Sequence, residues 1–203
     1  GRKLVPTDPL YMTKIPGFEN DPGPSEVYEE ITLDVPLHVK DQQRHGIDSD
    51  KITIRLTIIN EKWRTHDEKG QNPAGSDLYD RFIHWNKGIS FLRMGREIIF
   101  DRVANIGPRF EYLDRYWGCE IEFPDTLDER FKIKNVKVGI TPDEELVQQL
   151  DAYIGPAISA ARKEIQSLLK ESKAKAERDA NVGAHGATEA RFDETNVGAD
   201  VQS

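Results

Sequence analysis

At 203 residues the chain is long enough for one domain with a real core, alone or followed by a tail. A net charge of -8 with 32% charged residues argues against the whole chain being a dedicated nucleic-acid binder, and a hydrophobic fraction of 37% leaves part of the length unpacked. The lone cysteine, Cys119, excludes an internal disulfide and a cysteine zinc site, and it fits a reducing, cytoplasmic setting. No apolar run approaches the roughly 18 to 20 residues that cross a bilayer, so no membrane partner is expected. No signal peptide opens the chain. It begins at Gly1 in what reads as mid-protein sequence, and a fragment of a longer polypeptide is expected.

Residues 1–25 carry Pro6, Pro9, Pro16, Pro22 and Pro24 among several glycines, which predicts an extended lead-in or linker. Its apolar residues, Leu10, Tyr11, Met12, Ile15 and Phe18, can pack onto the domain or onto a neighbour. From Glu26 the pattern changes. Ile31, Leu33, Val35, Leu37 and Val39 alternate with polar residues, a half-buried strand with Pro36 favouring a sheet edge. Asp41 to Asp50 reads as a polar turn. Ile52, Ile54, Leu56 and Ile58 then alternate with Thr53, Arg55 and Thr57, completing an antiparallel hairpin.

A polar loop over 61–75 precedes a short helix, capped by Ser76, in which Leu78, Phe82 and Trp85 recur at helical spacing. Gly88 suits its C-terminal cap. Next come strands at Ile89–Met94 and Glu97–Phe100 around a Gly95-Arg96 turn, and a connector over 101–113. In the following strand Trp117, Cys119, Ile121 and Phe123 alternate with Gly118, Glu120 and Glu122. Thr141-Pro142-Asp143-Glu144 reads as a helix start, with Thr141 as cap and Glu144 completing a capping box. Leu146, Leu150, Tyr153, Ile154, Ile158, Ala161, Ile165, Leu168 and Leu169 mark one apolar face, and Gly155-Pro156 is expected to kink or divide the helix. The domain is therefore placed at 26–170, with a charged helix end and disordered tail over 171–203.

Three segments carry the most information. Gly88, Ile89, Ser90, Arg93, Gly95, Arg96, Glu97 and Ile98 fit a GISxxRxGREI hairpin. Arg115, Tyr116, Trp117, Gly118, Glu120, Ile121 and Phe123 fit an aromatic strand of the form RWWGxEIxF. Leu127, Asp128, Glu129 and Phe131 fit an LDExF turn, after which Asn135-Val136-Lys137-Val138 retains the asparagine and lysine of an NNKQ loop without its glutamine. Taken locally, Gly95 supplies a turn conformation, and Arg96 and Glu97 are solvated charges. Local physics does not account for the order of the segments. Over roughly Gly88 to Arg162 the chain resembles the second, transducer domain of the GHKL ATPases, the class of DNA gyrase B, MutL, MORC and the ninety-kilodalton heat-shock chaperone. It is most similar to bacterial MORC-like ATP-binding proteins.

The resemblance implies a transducer fold with a left-handed βαβ crossover. It also implies a lysine that reaches the γ-phosphate of ATP held with magnesium by an N-terminal ATP-binding domain of the same polypeptide. Lys137 is the residue in that position, with Lys134 the nearest rival and Asn135 shaping the loop. A cation that arrives only in the closed state suits charge on a terminal phosphate. Lys132 and Lys134 lie beside it, and the bland reading is one more surface lysine. The family further implies a homodimer and a DNA, chromatin or client-protein target, none of which this sequence selects. The catalytic glutamate, magnesium-binding asparagine, DxGxG loop and glycine-rich lid of the Bergerat pocket are missing, so the chain is not expected to hydrolyse ATP alone.

Other constellations are bland. The histidines His38, His45, His66, His84 and His185 have no metal-ligand spacing. Asp128-Glu129 and Asp143-Glu144-Glu145 read as turn and helix-dipole charges. Trp85 and Trp117 read as core, and Arg162, Lys163, Lys170, Lys173 and Lys175 as a solvated face. No nucleophile context or phosphate-binding GxxxxGK[ST] loop occurs. The expected fold is α+β: a mixed, mostly antiparallel sheet of four to six strands with helices on one face and a long C-terminal helix. The alternative function is a non-catalytic protein-binding module with no nucleotide role.

Overall fold

The computed structural model describes residues 8–13, 25–60, 83, 86–102, 106–133 and 139–196. The alternating segments become strands β1 (Glu26–Pro36), β2 (Ser49–Ile58), β3 (Ile89–Arg93), β4 (Arg96–Asp101) and β5 (Trp117–Phe123), with helices α1 (Val39–His45) and α2 (Glu144–Asn196). They form one five-stranded sheet in the order β1-β2-β5-β3-β4. All neighbouring pairs are antiparallel except β3 and β5. This is the expected α+β architecture, with β1 at the edge as Pro36 implied. The one parallel pair is joined through β4 and a 3-10 turn at Tyr112–Tyr116. No α-helix lies between its strands among the described residues, so the βαβ crossover implied by the resemblance is not found there.

Period-two alternation decides which side of each strand is buried. Ile52, Ile54, Leu56, Cys119, Ile121 and Phe123 sit on one side, all at most 3% exposed. Against them α2 lays Leu146, Leu150, Ile154, Ile158, Ala161 and Ile165, which recur at helical spacing and are nearly inaccessible. Each such large side chain contributes about 1.5–3 kcal/mol on burial. Tyr153, expected on this stripe, is instead 48% exposed. The helix continues through Pro156 without a break. The chain divides into two compact units, residues 1–165 and 166–203. In the second unit, Leu168 and Leu169 are half-buried, and the described side chains from Lys170 to Arg178 are nearly all exposed.

Four local expectations change. The segment read as the end of β1 and a polar turn contains α1, closed by Gly46 in the left-handed conformation at φ 71°. The hairpin turn is Met94-Gly95, with φ 50° and 75°, because its geometry needs positive φ at both central residues. Gly88 is no left-handed cap: a side chain there would meet the Phe100 ring at 2.9 Å. Thr141 does not cap α2; Asp143 does, its Oδ1 accepting the Leu146 N–H at 2.9 Å. Leu78, Phe82 and Trp85 of the expected short helix lie outside the described residues.

The lead-in packs onto the sheet. Leu10 and Tyr11 are 5% and 6% exposed, and the Thr57 hydroxyl donates to the Leu10 carbonyl at 2.9 Å. Gly118 makes this approach possible, since a Cβ there would stand 2.0 Å from the Pro9 carbonyl oxygen.

Candidate functional site

The three motif segments are bonded directly to one another. The parallel register sets Phe91 beside Ile121 and Arg93 beside Phe123. Arg93 reaches past the strand end and grips Asp128 with a bidentate pair, Nε to Oδ1 at 2.6 Å and Nη2 to Oδ2 at 2.8 Å. The Met94 N–H donates to the Phe123 carbonyl at 3.0 Å. Beneath them Phe131 stacks on Phe123 at 3.7 Å and meets the edge of Phe91 at 6.3 Å. The spacing of hairpin, strand and turn is thus that of one packed corner. Within it, Ser90 donates to Glu97, so Glu97 is a hydrogen-bond acceptor and not merely a solvated charge.

The loop after Phe131 leaves this corner and returns to it. Lys132 and Gly139 adopt φ 48° and 63° at its two stems. The Thr141 N–H donates to the Phe131 carbonyl at 3.2 Å and the Asp143 N–H to the Arg130 carbonyl at 2.8 Å, so the stems are tied together. Arg130, 3% exposed, fastens the same point to α2: its Nη1 donates to Glu145 at 3.0 Å and its Nε lies 3.1 Å from Asp143 Oδ2. The Arg130 Nη2 and Nε make no well-aligned hydrogen bond. His38 Nε2 stands 3.4 Å from the same Asp143 oxygen. Lys134, Asn135 and Lys137, the residues expected to carry the site, lie outside the described residues.

Beside these stems opens a cleft of about 560 Å³. Its walls are Ile99, Asp101 and Arg102 from the end of β4, Lys132 and Gly139 from the stems, and Thr141, Glu144 and Val147 from the start of α2. The charge is mixed. Arg102 is already engaged, donating to the Lys87 carbonyl at 3.0 Å and lying 4.8 Å over the Phe110 ring. Asp101 and Glu144 repel phosphate. Among the described residues no group of three His, Cys, Asp or Glu side chains can hold a metal ion. The described residues therefore do not fit a complete ATP–magnesium site.

Two further networks are structural. On the sheet face away from α2, Arg55 bonds Glu30 at 2.8 Å, Glu120 at 3.1 Å and Glu122 at 3.2 Å. Burial raises the Glu120 carboxyl above its ordinary value, with Arg55 opposing the shift. Asp114 is fully buried and accepts from the Trp117 indole at 2.7 Å and from Arg162 Nε and Nη2 at 2.8 and 2.7 Å. Arg162 was read as part of a solvated face; it is instead the tie between α2 and the 3-10 turn, because Asp114 must be paired once buried. Cys119 is buried, and desolvation pushes its thiol up to about 12, which makes it a poor nucleophile.

No sequence signal marked Arg130. It lies three residues past Leu127 in a charged turn, and only the fold brings Asp143 and Glu145 around it. Among the described residues no helix is long and apolar enough to cross a membrane. Compared with known proteins, the chain matches no family model, no curated protein and no solved structure.

Proposed function

We propose that the chain is a transducer-type module of a GHKL-class ATPase. In this reading Lys137, from the loop between the Lys132 and Gly139 stems, contacts the terminal phosphate of ATP bound by a preceding domain of the same polypeptide. The observation that carries it is the mounting of that loop. Its stems join the corner built by the three motif segments to the first turn of α2 through Arg130 and Asp143. A loop so mounted can relay a change at one lysine to a long helix and onward to a partner region or a dimer mate.

The test is turnover in the full-length protein. Lys137→Ala is expected to lower ATP hydrolysis about a hundredfold, the scale of losing one stabilising group aimed at developing charge. Lys134→Ala, the rival, is expected to change it less than threefold. The isolated chain is expected to be inactive.

The second reading, a protein-binding module without a nucleotide role, is favoured by the mixed charge of the cleft, which is ill suited to a polyphosphate. An unrelated domain encoded upstream, in place of a Bergerat domain, would select it.

A further inference from the structure

Residues 8–13 of the lead-in form a small turn that satisfies its own donors. Asp8 collects them: its Oδ1 accepts from the Leu10 N–H at 3.0 Å, its Oδ2 from the Thr13 N–H at 2.6 Å and its carbonyl from the Tyr11 N–H at 3.0 Å. Pro9 has no N–H to place. The acceptors do the opposite and bond only outward. The Pro9 carbonyl accepts from Asn86 Nδ2 at 3.3 Å, the Leu10 carbonyl from the Thr57 hydroxyl at 2.9 Å and the Tyr11 carbonyl from the Ser25 N–H at 2.8 Å. The turn is thus organised within itself, and the body of the domain reads it through successive carbonyls, as a receptor reads a bound peptide.

The seat is shaped for such a turn. Thr57 lies opposite Gly118 in the register of β2 and β5, on the sheet face away from α2. A Cβ on Gly118 would meet the Pro9 carbonyl oxygen at 2.0 Å and Pro9 C and Leu10 Cα at 2.9 Å, all atoms of the turn. Asn86 is 6% exposed and is aimed in advance, since its Nδ2 also donates to the Trp117 carbonyl at 3.0 Å. The Leu10 and Tyr11 side chains are buried. The seat therefore selects a turn led by Asp-Pro, followed by an aliphatic and an aromatic residue.

The fit is held under tension. Tyr11 sits at φ 53°, a left-handed conformation that an aromatic residue adopts at a cost. The Ser25 hydroxyl oxygen is buried without a hydrogen-bond partner. Asp8 and Glu120 repel: burial raises the Glu120 carboxyl, Arg55 opposes, and the charges of Glu122 and Asp8 add to the rise. All of these costs fall where the turn meets the domain, which favours a segment that can leave its seat over one fixed in it.

We propose that this seat is a binding site for a proline-led peptide turn, and that the chain's own residues 8–13 occupy it as a releasable strap. The strap is an intramolecular ligand, present at the about millimolar effective concentration of a short tether, and it excludes a free peptide of the same chemistry. The proposal does not depend on the nucleotide reading, since the seat uses neither Lys137 nor ATP.

The test cuts the tether and keeps the rest of the full chain. A specific protease site inserted within residues 14–24 is cleaved in the folded protein, and a fluorescein-labelled peptide of residues 7–13 is followed by anisotropy. The peptide is expected to saturate the cleaved protein, displacing the strap fragment, and to bind the uncut chain at least tenfold more weakly. Asp8→Ala in the peptide, which removes the acceptor that organises the turn, is expected to weaken binding at least tenfold. Gly118→Ala in a cleaved protein that retains the parent's circular dichroism should do the same. The peptide variant leaves the folding of the protein untouched, so it decides the matter if Gly118→Ala does not fold. Equal binding to cut and uncut chains places the peptide elsewhere and overturns the proposal, as does indifference to Asp8→Ala. Failure to exchange at millimolar peptide, or loss of the sheet's circular dichroism as the fragment leaves, makes residues 8–13 a fixed part of the core and overturns it as well.

Discussion

Individual residues in this protein are constrained mainly by what they are packed against. Arg130 is the sharpest case, because a buried guanidinium is tolerable only while Asp143 and Glu145 neutralise it. Arg130→Ala takes its guanidinium partner from half-buried Asp143, which keeps only the Leu146 N–H and His38 beside it, and is expected to cost about 1–3 kcal/mol, read as a lower denaturant midpoint at unchanged slope. Glu120 makes a pH prediction. Burial raises its carboxyl above the ordinary 4.5, so its folded form holds a proton more readily than the unfolded chain. Its stabilising contribution is complete below the unfolded value and is lost as pH rises through the raised folded one. Glu120→Gln should therefore flatten the stability profile just above pH 4.5, measured as denaturant midpoints from pH 4 to 7. A Glu120→Gln profile parallel to the parent's would show that burial does not govern this group. Cys119, buried and pushed up to about 12, should react with a disulfide reagent at pH 8 only as fast as the protein unfolds. Most of these residues were invisible in the sequence. Their partners, 15 residues away for Arg130 and Glu145 and 48 for Asp114 and Arg162, are set by tertiary structure alone.

At the scale of elements, the sequence was most legible where burial imposes a period. Strands β1, β2 and β5 follow directly from alternation, and α2 from its apolar stripe, because one face of each must leave water. Helix α1 was missed since its only buried side chain is Asp41, so no apolar period exists to betray it. The cap of α2 was misplaced for a related reason. Thr141 and Asp143 are both good caps, and the choice falls to Asp143 because its carboxylate also faces Arg130. The expected break at Gly155-Pro156 reflects a genuine penalty: proline lacks the N–H that would bond residue 152. The helix runs on through it, and both Ala152 and Pro156 are exposed, where the unbonded carbonyl can meet water. Pro156 is exposed, so Pro156→Ala should restore a bond without disturbing the core. A gain of about 1–3 kcal/mol is expected, seen as a higher midpoint of thermal unfolding followed at 222 nm.

For the molecule as a whole, the two units differ in kind. Burial on α2 ends with Ile165, the last residue of the first unit, and the described side chains beyond Lys170 carry almost none. Removing residues 171–203 should leave the midpoint of cooperative unfolding within about 0.5 kcal/mol of the full chain, the range of surface changes, while reducing the helical signal. The placement of the three motif segments in one corner was implicit in their order, and Lys137 was named from the same resemblance. A lysine's charge can be read from a sequence, whereas what it meets in a closed state depends on a surface contributed by another domain. The central claim is that Lys137 senses the terminal phosphate of ATP. Its most direct measurement is steady-state ATP hydrolysis by the full-length protein and its Lys137→Ala variant, with nucleotide binding followed in parallel. The account predicts turnover reduced about a hundredfold with binding largely retained. Unchanged turnover would contradict it.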